Sequence, residues 1–139
     1  MIIDWAASFD AYLERLDVDV TAGRANARVI RKYVLAALEV LQDLDGEPVE
    51  ETTTLKWVRQ SGRHRVWRVA HPFDVDVAVR LIAWFPPERG TVVVALFAGD
   101  KARIGDVWYD SVGTRADEAI GQWKFQTQQE KVSDDGEQW

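Results

Sequence analysis

The sequence predicts an α+β fold in which an N-terminal helical hairpin packs on a four-stranded antiparallel sheet and a C-terminal helix follows. Two observations support this. Apolar residues recur every three or four positions before residue 46 and again after residue 114, whereas four runs between residues 55 and 97 are rich in β-branched and aromatic residues. Short turn-like segments separate those four runs, which favours sequential hairpins.

The hairpin is predicted from two amphipathic patterns. Asp4 stands where an N-cap is expected, and the first helix is indicated by apolar residues on one helical face: Trp5, Phe9, Tyr12, Leu13 and Leu16. Thr21 is placed to cap a second helix, whose apolar positions run from Ala25 to Leu44, with Gly46 just past its end. The connection between the two helices is short, so we expect them to be antiparallel neighbours.

The four predicted strands cover residues 55–60, 64–70, 77–85 and 91–97. The last two are almost entirely apolar, so we expect the helical hairpin to cover one face of the sheet. Thr114 and Asp117 have the spacing of a capping box at the start of the last helix. We expect a single domain over residues 1–125 and a polar, flexible tail over residues 126–139.

Composition limits the function classes. The chain has 139 residues and no cysteine, which excludes disulfides, thiolate nucleophiles and cysteine-based zinc sites and favours an intracellular compartment. No signal peptide or membrane span is recognisable, so we expect a cytoplasmic protein with no membrane partner. Phosphate-binding loops and metal-ligand spacings are missing from the sequence, and we therefore expect neither a metal nor another cofactor.

The charge is unevenly distributed. The whole chain carries a formal net charge of −6, which argues against a general nucleic-acid binder. Residues 56–80, however, hold six basic and two acidic side chains, so a local positive cluster lies in an acidic protein.

Arg80 lies within an apolar run, where a guanidinium needs either an acidic partner or an anionic ligand. Alternation along the strands predicts that Arg68 and Arg80 project from the same face of neighbouring strands, where they would form an anion clamp. The alternative is that Arg80 pairs with a carboxylate of the covering helices, at Asp4, Glu39 or Asp43.

Further candidate groups follow the fourth strand, in a segment that we expect to be a loop: Lys101, Arg103, Asp106 and Tyr109. His64 is another candidate acid or base, because its ordinary pKa lies near neutrality. This inventory suits metal-independent cleavage of RNA, in which the ribose 2′-hydroxyl is the nucleophile and the protein holds the phosphate and moves protons.

The helical hairpin followed by Leu55-Lys56, Trp67-Arg68, Val79-Arg80 and the run from Val92 to Lys101 resembles the RelE/HigB superfamily of bacterial type II toxins, over roughly residues 4–125. The resemblance implies a metal-independent mRNA endonuclease that cuts in the ribosomal A site. It also implies neutralisation by a cognate antitoxin, which we expect to be a helix-turn-helix DNA-binding protein.

By the same resemblance, Arg68 and Arg80 hold the scissile phosphate, Lys101 corresponds to the lysine after the last core strand, and Asp106 and Tyr109 correspond to acid/base groups. The other basic residues are candidates for RNA binding: Lys56, Arg59, Arg63, Arg65 and Arg103.

Two alternatives stay open. One is a ParE-like toxin that binds DNA gyrase without cutting RNA. The other is a non-catalytic domain that binds proteins through tryptophans that look exposed in the sequence: Trp57, Trp108 and Trp139.

Overall fold

A computed structural model of the chain describes residues 1–70 and 76–136, without the side chains of residues 103, 104, 106 and 131–136. The strands are β1 (Ile2–Trp5), β2 (Leu55–Trp57), β3 (Trp67–Ala70), β4 (Val79–Trp84) and β5 (Val92–Asp100). The helices are α1 (Ala7–Thr21), α2 (Ala27–Gln42), α3 (Lys101–Ile104) and α4 (Val112–Gly136), with a 3₁₀ helix at Gly105–Ser111. The fold class is therefore α+β, as predicted.

The described strands form one mixed sheet of five strands in the order β1-β5-β4-β3-β2. Strands β2 to β5 pair antiparallel, as expected, but β1 pairs parallel with β5 and adds a strand that the sequence analysis did not predict. Asp4 and Trp5 belong to this strand, and the N-cap of α1 is Ala6. The prediction of Asp4 as an N-cap is wrong because β1 meets the edge of β5, from Val92 to Ala95, before the helix begins.

Helices cover both faces of the sheet. Phe9 and Leu16 of α1 and Val34 and Leu41 of α2 pack on one face, against a row of strand residues: Trp67, Val69, Leu81, Ala83, Val93 and Ala95. Helix α4 and the 3₁₀ helix pack on the other face, against Val66, Ile82, Trp84, Val94 and Leu96. Every residue of β4 is buried, which explains why this strand is almost continuously apolar.

The C-terminal helix differs from its prediction at both ends. It begins at Val112, two residues before the predicted capping box. It also continues to Gly136, so residues 126–136, which were expected to form a flexible tail, are helical. Residues 137–139, with Trp139, lie outside the described part of the chain.

The segment after β5 was expected to be a loop, but α3 and the 3₁₀ helix occupy it. The Asp100 carboxylate accepts hydrogen bonds from the backbone N–H groups of Ala78 and Ala102, which fixes the start of α3 against β4. Trp108 is only 7% exposed and packs edge-on against Phe97. The prediction that Trp108 is exposed is therefore wrong. Among the described residues, no helix combines the length and the apolar character needed to cross a membrane.

Candidate functional site

The strand register places the two predicted clamp arginines. Arg68 is opposite Ile82, and Arg80 is opposite Ala70, in the antiparallel pair β3 and β4. Because side chains alternate along a strand, Arg68 and Arg80 lie on the same face of neighbouring strands, as the sequence pattern predicts. This is the face that α4 and the 3₁₀ helix cover.

Arg68 and Arg80 differ in how deeply they are buried. Arg80 is 6% exposed, and its Nη1 donates a hydrogen bond to the carbonyl oxygen of Val79 at 3.0 Å. The prediction that Arg80 faces an open cleft is therefore wrong, because the helical layer above β4 excludes solvent from it. Asp4, one of the carboxylates considered as its partner, instead accepts a hydrogen bond from the indole N–H of Trp123 at 2.9 Å.

Arg68 is half-buried and reaches an open pocket of about 400 Å³, which we call the Tyr109 pocket. Its lining includes Glu51, Lys56, Trp57, Arg59, Arg68 and Tyr109. The Arg68 Nη1 donates a hydrogen bond to the Tyr109 hydroxyl at 3.0 Å, and the guanidinium carbon lies 5.5 Å from the centre of the Tyr109 ring. The pocket thus brings together four of the residues predicted from the sequence: Lys56, Arg59, Arg68 and Tyr109.

Lys56 and Arg68 are direct cross-strand partners in the pair β2 and β3. Two like charges opposite each other destabilise a sheet unless an anion lies between them or solvent screens them. Among the described residues that line this pocket, the acidic one is Glu51, which contacts the exposed guanidinium of Arg59 at 3.3 Å and the Trp57 amide at 3.0 Å. The charge arrangement of Lys56 and Arg68 therefore suits an external anion.

Lys101 approaches the same tyrosine from the start of α3. Its Nζ lies 5.4 Å from the centre of the Tyr109 ring, within the range of a cation–π interaction. The side chains of Arg103 and Asp106, two further predicted site residues, lie outside the described part of the structure.

A second, larger depression of about 700 Å³ holds the remaining predicted residues, His64, Arg63 and Arg65. We call it the His64 groove. It is formed by the connection between β2 and β3, the turn after β4, and α4, and its lining includes His64, Arg65, Trp84, Arg89, Trp123 and Lys124.

Asp117 fixes His64. The Asp117 carboxylate accepts hydrogen bonds from the amides of Arg63 (2.9 Å) and His64 (3.2 Å), and it lies 2.9 Å from the His64 Nδ1. Partial burial raises the pKa of Asp117, but these hydrogen bonds outweigh it and hold the pKa below its ordinary value. Asp117 thus acts as an ionised anchor for the histidine ring instead of the predicted helix cap.

The donors around His64 determine its tautomer. The Lys124 Nζ lies 3.3 Å from the His64 Nε2, and an ammonium group can only donate. Nε2 is therefore the acceptor, and the imidazole proton is on Nδ1, where it is donated to Asp117. The His64 ring is thus held between a carboxylate and an ammonium group.

Five residues at this groove were not predicted from the sequence: Asp117, Lys124, Arg89, Trp84 and Trp123. A signal for two of them exists, because Asp117 and Lys124 are seven residues apart and share one face of α4. No local pattern links them to His64, which is 53 residues from Asp117. In the part of the chain that the structure describes, no three histidine or acidic side chains are grouped to hold a metal ion.

Comparison with known proteins gives no relative. No family model matches the sequence, and neither the curated proteins nor the solved structures contain a significant match.

Proposed function

We propose that this chain is the toxin of a type II toxin-antitoxin pair, similar to the RelE/HigB toxins, and that it is a metal-independent endonuclease of ribosome-bound mRNA. The observation that carries this proposal is the Arg68 guanidinium, which lies opposite Lys56 and is hydrogen-bonded to the Tyr109 hydroxyl in an open pocket. This geometry combines a phosphate-binding fork with a group that can transfer a proton.

The cations account for phosphate binding. A guanidinium presents parallel N–H donors that match two oxygens of a phosphate, and a phosphate between Lys56 and Arg68 relieves the repulsion between them. In the transition state, negative charge builds on the phosphate oxygens, and fixed cations in a pocket stabilise it more than water does.

Tyr109 accounts for the proton. Tyr109 is 6% exposed, like Arg80, but unlike Arg80 it lines the pocket, beside the Arg68 guanidinium. Its oxygen accepts the hydrogen bond from Arg68, so its own proton remains available to donate. In the proposed step, the ribose 2′-oxygen forms a bond to phosphorus, the bond to the 5′-oxygen breaks, and Tyr109 protonates that leaving oxygen. The 2′-hydroxyl proton passes to water, and the products are a cyclic phosphate and a 5′-hydroxyl end.

The other predicted residues take different parts in this proposal. Lys101 adds positive charge beside the Tyr109 ring. Arg80 lies beneath the helical layer and supports β4 without touching RNA. His64 belongs to the separate groove, so we do not assign it to the cleavage step.

The proposal also names partners. The mRNA is presented by the ribosome in the cytoplasm, and a cognate antitoxin, which we expect to be a helix-turn-helix DNA-binding protein, inhibits the toxin. We propose that α1 and α2 are the helical hairpin of this fold. In this proposal the ribosome holds the codon in a fixed geometry, so the toxin need not bind naked RNA tightly. An acidic toxin is compatible with this function.

The test is a reconstituted translation reaction in which cuts in a reporter mRNA are mapped by primer extension. The wild-type chain is expected to cut the mRNA. Arg68→Ala is expected to lower the rate about 100- to 1000-fold, because a transition-state donor is lost. Tyr109→Phe is expected to lower it by a similar factor, because the acid is lost.

The matched control is Arg28→Ala, an exposed arginine on α2 at the opposite face of the sheet, which is expected to cut at the wild-type rate. Thermal melting confirms that each variant is folded. Absence of cuts by the folded wild-type chain contradicts the proposal, and so does cleavage of naked RNA at the same rate as ribosome-bound RNA.

A second candidate function has one observation in its favour. With Arg80 buried, one of the two expected phosphate ligands is missing from the pocket, and a ParE-like gyrase inhibitor needs no phosphate clamp. A gyrase supercoiling assay separates the two functions. Inhibition of supercoiling by the wild-type chain and by Arg68→Ala alike would favour the second candidate.

A further inference from the structure

We infer that the His64 groove is a second binding site, and that its ligand is a nucleotide unit, meaning a phosphate with its attached nucleoside. The ligand has two possible sources, a free nucleotide or one unit of an RNA strand. A free nucleotide needs no cleavage activity, so for that source the inference goes beyond the proposed function. For the RNA strand it rests on the proposed function.

The first argument is the position of the cations. The Lys124 Nζ lies 5.4 Å from the centre of the Trp84 ring, and the Arg89 guanidinium carbon lies 5.7 Å from that of Trp123. Both charged side chains are exposed, while both tryptophans are buried as a pair with ring centres 5.7 Å apart. The two cations thus lie on a rigid aromatic floor and keep their N–H donors available for an anion.

The second argument is the way His64 is held. Asp117 accepts a hydrogen bond at Nδ1, and Nε2 faces the Lys124 ammonium group. When a phosphate draws the ammonium group away, Nε2 becomes available to a ribose hydroxyl or to a base N–H group, for which it is an acceptor. Lys124 and His64 therefore offer a donor and an acceptor side by side, which suits a phosphate with an adjacent sugar or base; their Nζ and Nε2 atoms are 3.3 Å apart before a ligand enters.

The third argument is size and charge. A volume of about 700 Å³ lies in the range of small-ligand and cofactor sites. The described residues that line the groove include four basic side chains and two acidic ones, Glu47 and Glu88, on a chain whose net charge is −6. Glu47 accepts a hydrogen bond from the indole N–H of Trp67 at 3.2 Å, which directs part of its carboxylate away from a ligand. The local excess of positive charge attracts anions against the overall field of the protein.

The test measures binding of two probes by isothermal titration calorimetry. The probes are adenosine 5′-monophosphate and a short 2′-O-methyl oligoribonucleotide, which the proposed nuclease cannot cut because its 2′-oxygen is blocked. The variant is the double substitution Lys124→Ala with Arg89→Ala, and the matched control is Lys32→Ala with Arg28→Ala on α2. All four residues are exposed, so folding is expected to survive, and thermal melting checks this.

The double groove variant is expected to weaken binding of at least one probe by about tenfold or more, as for loss of charge-assisted hydrogen bonds. The α2 control is expected to change that affinity less than about threefold. Tight binding of the mononucleotide assigns the site to a free nucleotide, and binding of the oligonucleotide alone assigns it to an RNA strand. Both outcomes support the inference.

Equal affinity of the wild-type and groove-variant proteins for both probes overturns the inference, and so does the absence of binding of either probe. Binding of a poly-glutamate peptide at this groove without binding of either nucleotide probe also overturns it, in favour of an acidic protein partner. The cleavage assay distinguishes the two proposals. Loss of nucleotide binding in the groove variant without any mRNA cleavage by the wild type keeps this site and removes the proposed nuclease.

Discussion

The Tyr109 pocket and the His64 groove both collect basic side chains, but they are built differently. In the pocket, Lys56 and Arg68 project from paired strands, so the sheet register sets the distance between them. In the groove, Lys124 and Arg89 come from a helix and a turn and lie over tryptophan rings. Strand-borne cations keep a fixed geometry, which suits catalysis, whereas exposed cations on an aromatic floor can adjust to a ligand and suit binding.

One tight junction lies between the two regions. The connection after β2 packs on the first turns of α4 so closely that a Cβ at Gly62 would overlap the Asp117 carboxylate, and one at Gly113 would overlap the carbonyl oxygen of Gln60. Gln60 lines the pocket, and Asp117 anchors the groove. The same contact therefore positions parts of both sites.

Substitution at this junction is expected to give the largest change in stability. Gly113→Ala is expected to lower the free energy of unfolding by about 1–3 kcal/mol, because the new methyl group meets backbone that cannot move away. Chemical denaturation measures this. The matched control is Gly121→Ala in the same helix, where a Cβ meets nothing within 4 Å; it is expected to stabilise the protein by about 0.5–1 kcal/mol. Equal effects of the two substitutions would contradict the tight junction.

The Asp117 anchor is expected to make stability depend on pH. Its pKa in the folded chain is below the ordinary value of 3.8, so its contribution is present above about pH 4 and is lost as the pH falls through the folded-state pKa. Asp117→Asn is therefore expected to be less stable than the wild type by about 1 kcal/mol at pH 7, and the difference should shrink below pH 4. Denaturation curves at pH 7 and pH 3 measure this; a constant difference would show that ionisation of Asp117 is not involved.

Substitution of Lys56 is expected to change stability and cleavage activity in opposite directions. Lys56→Gln is expected to raise the free energy of unfolding by about 0.2–1 kcal/mol, because the repulsion opposite Arg68 is removed. The same substitution is expected to slow the proposed mRNA cleavage. Denaturation and the reporter assay measure the two effects. A destabilised variant would show that Lys56 is paired favourably and would remove the argument that the pocket needs an anion.

The smallest expected effect concerns a tyrosine outside both sites. Burial, together with the carboxylates of Asp100 and Asp19, raises the pKa of Tyr12 to about 12. In an ultraviolet titration of the folded protein, Tyr12→Phe is expected to remove a phenolate transition near pH 12 and to leave the lower part of the curve unchanged. Loss of a transition near pH 10 instead would show that Tyr12 is solvated.

The predictions from sequence succeeded where the signal is periodic over many residues. The α+β class, the four antiparallel strands and the common face of Arg68 and Arg80 all follow from alternation and from helical spacing. Strand β1 was missed because its pairing partner lies about ninety residues away along the chain. Trp5, Phe9 and Tyr12 have helical spacing, although Trp5 ends a strand and the helix starts at Ala7.

By itself, the sequence determined which residues alternate, which segments are apolar enough to be buried, and that positive charge gathers over residues 56–80, because these depend on the local order of side chains. The tertiary structure decided which cations meet solvent. Arg68 and Arg80 are equivalent in pattern, yet the helical layer covers Arg80 and leaves Arg68 at a pocket beside Tyr109. It also paired His64 with Asp117 and Lys124, since contacts between residues more than fifty positions apart depend on how the sheet and α4 pack.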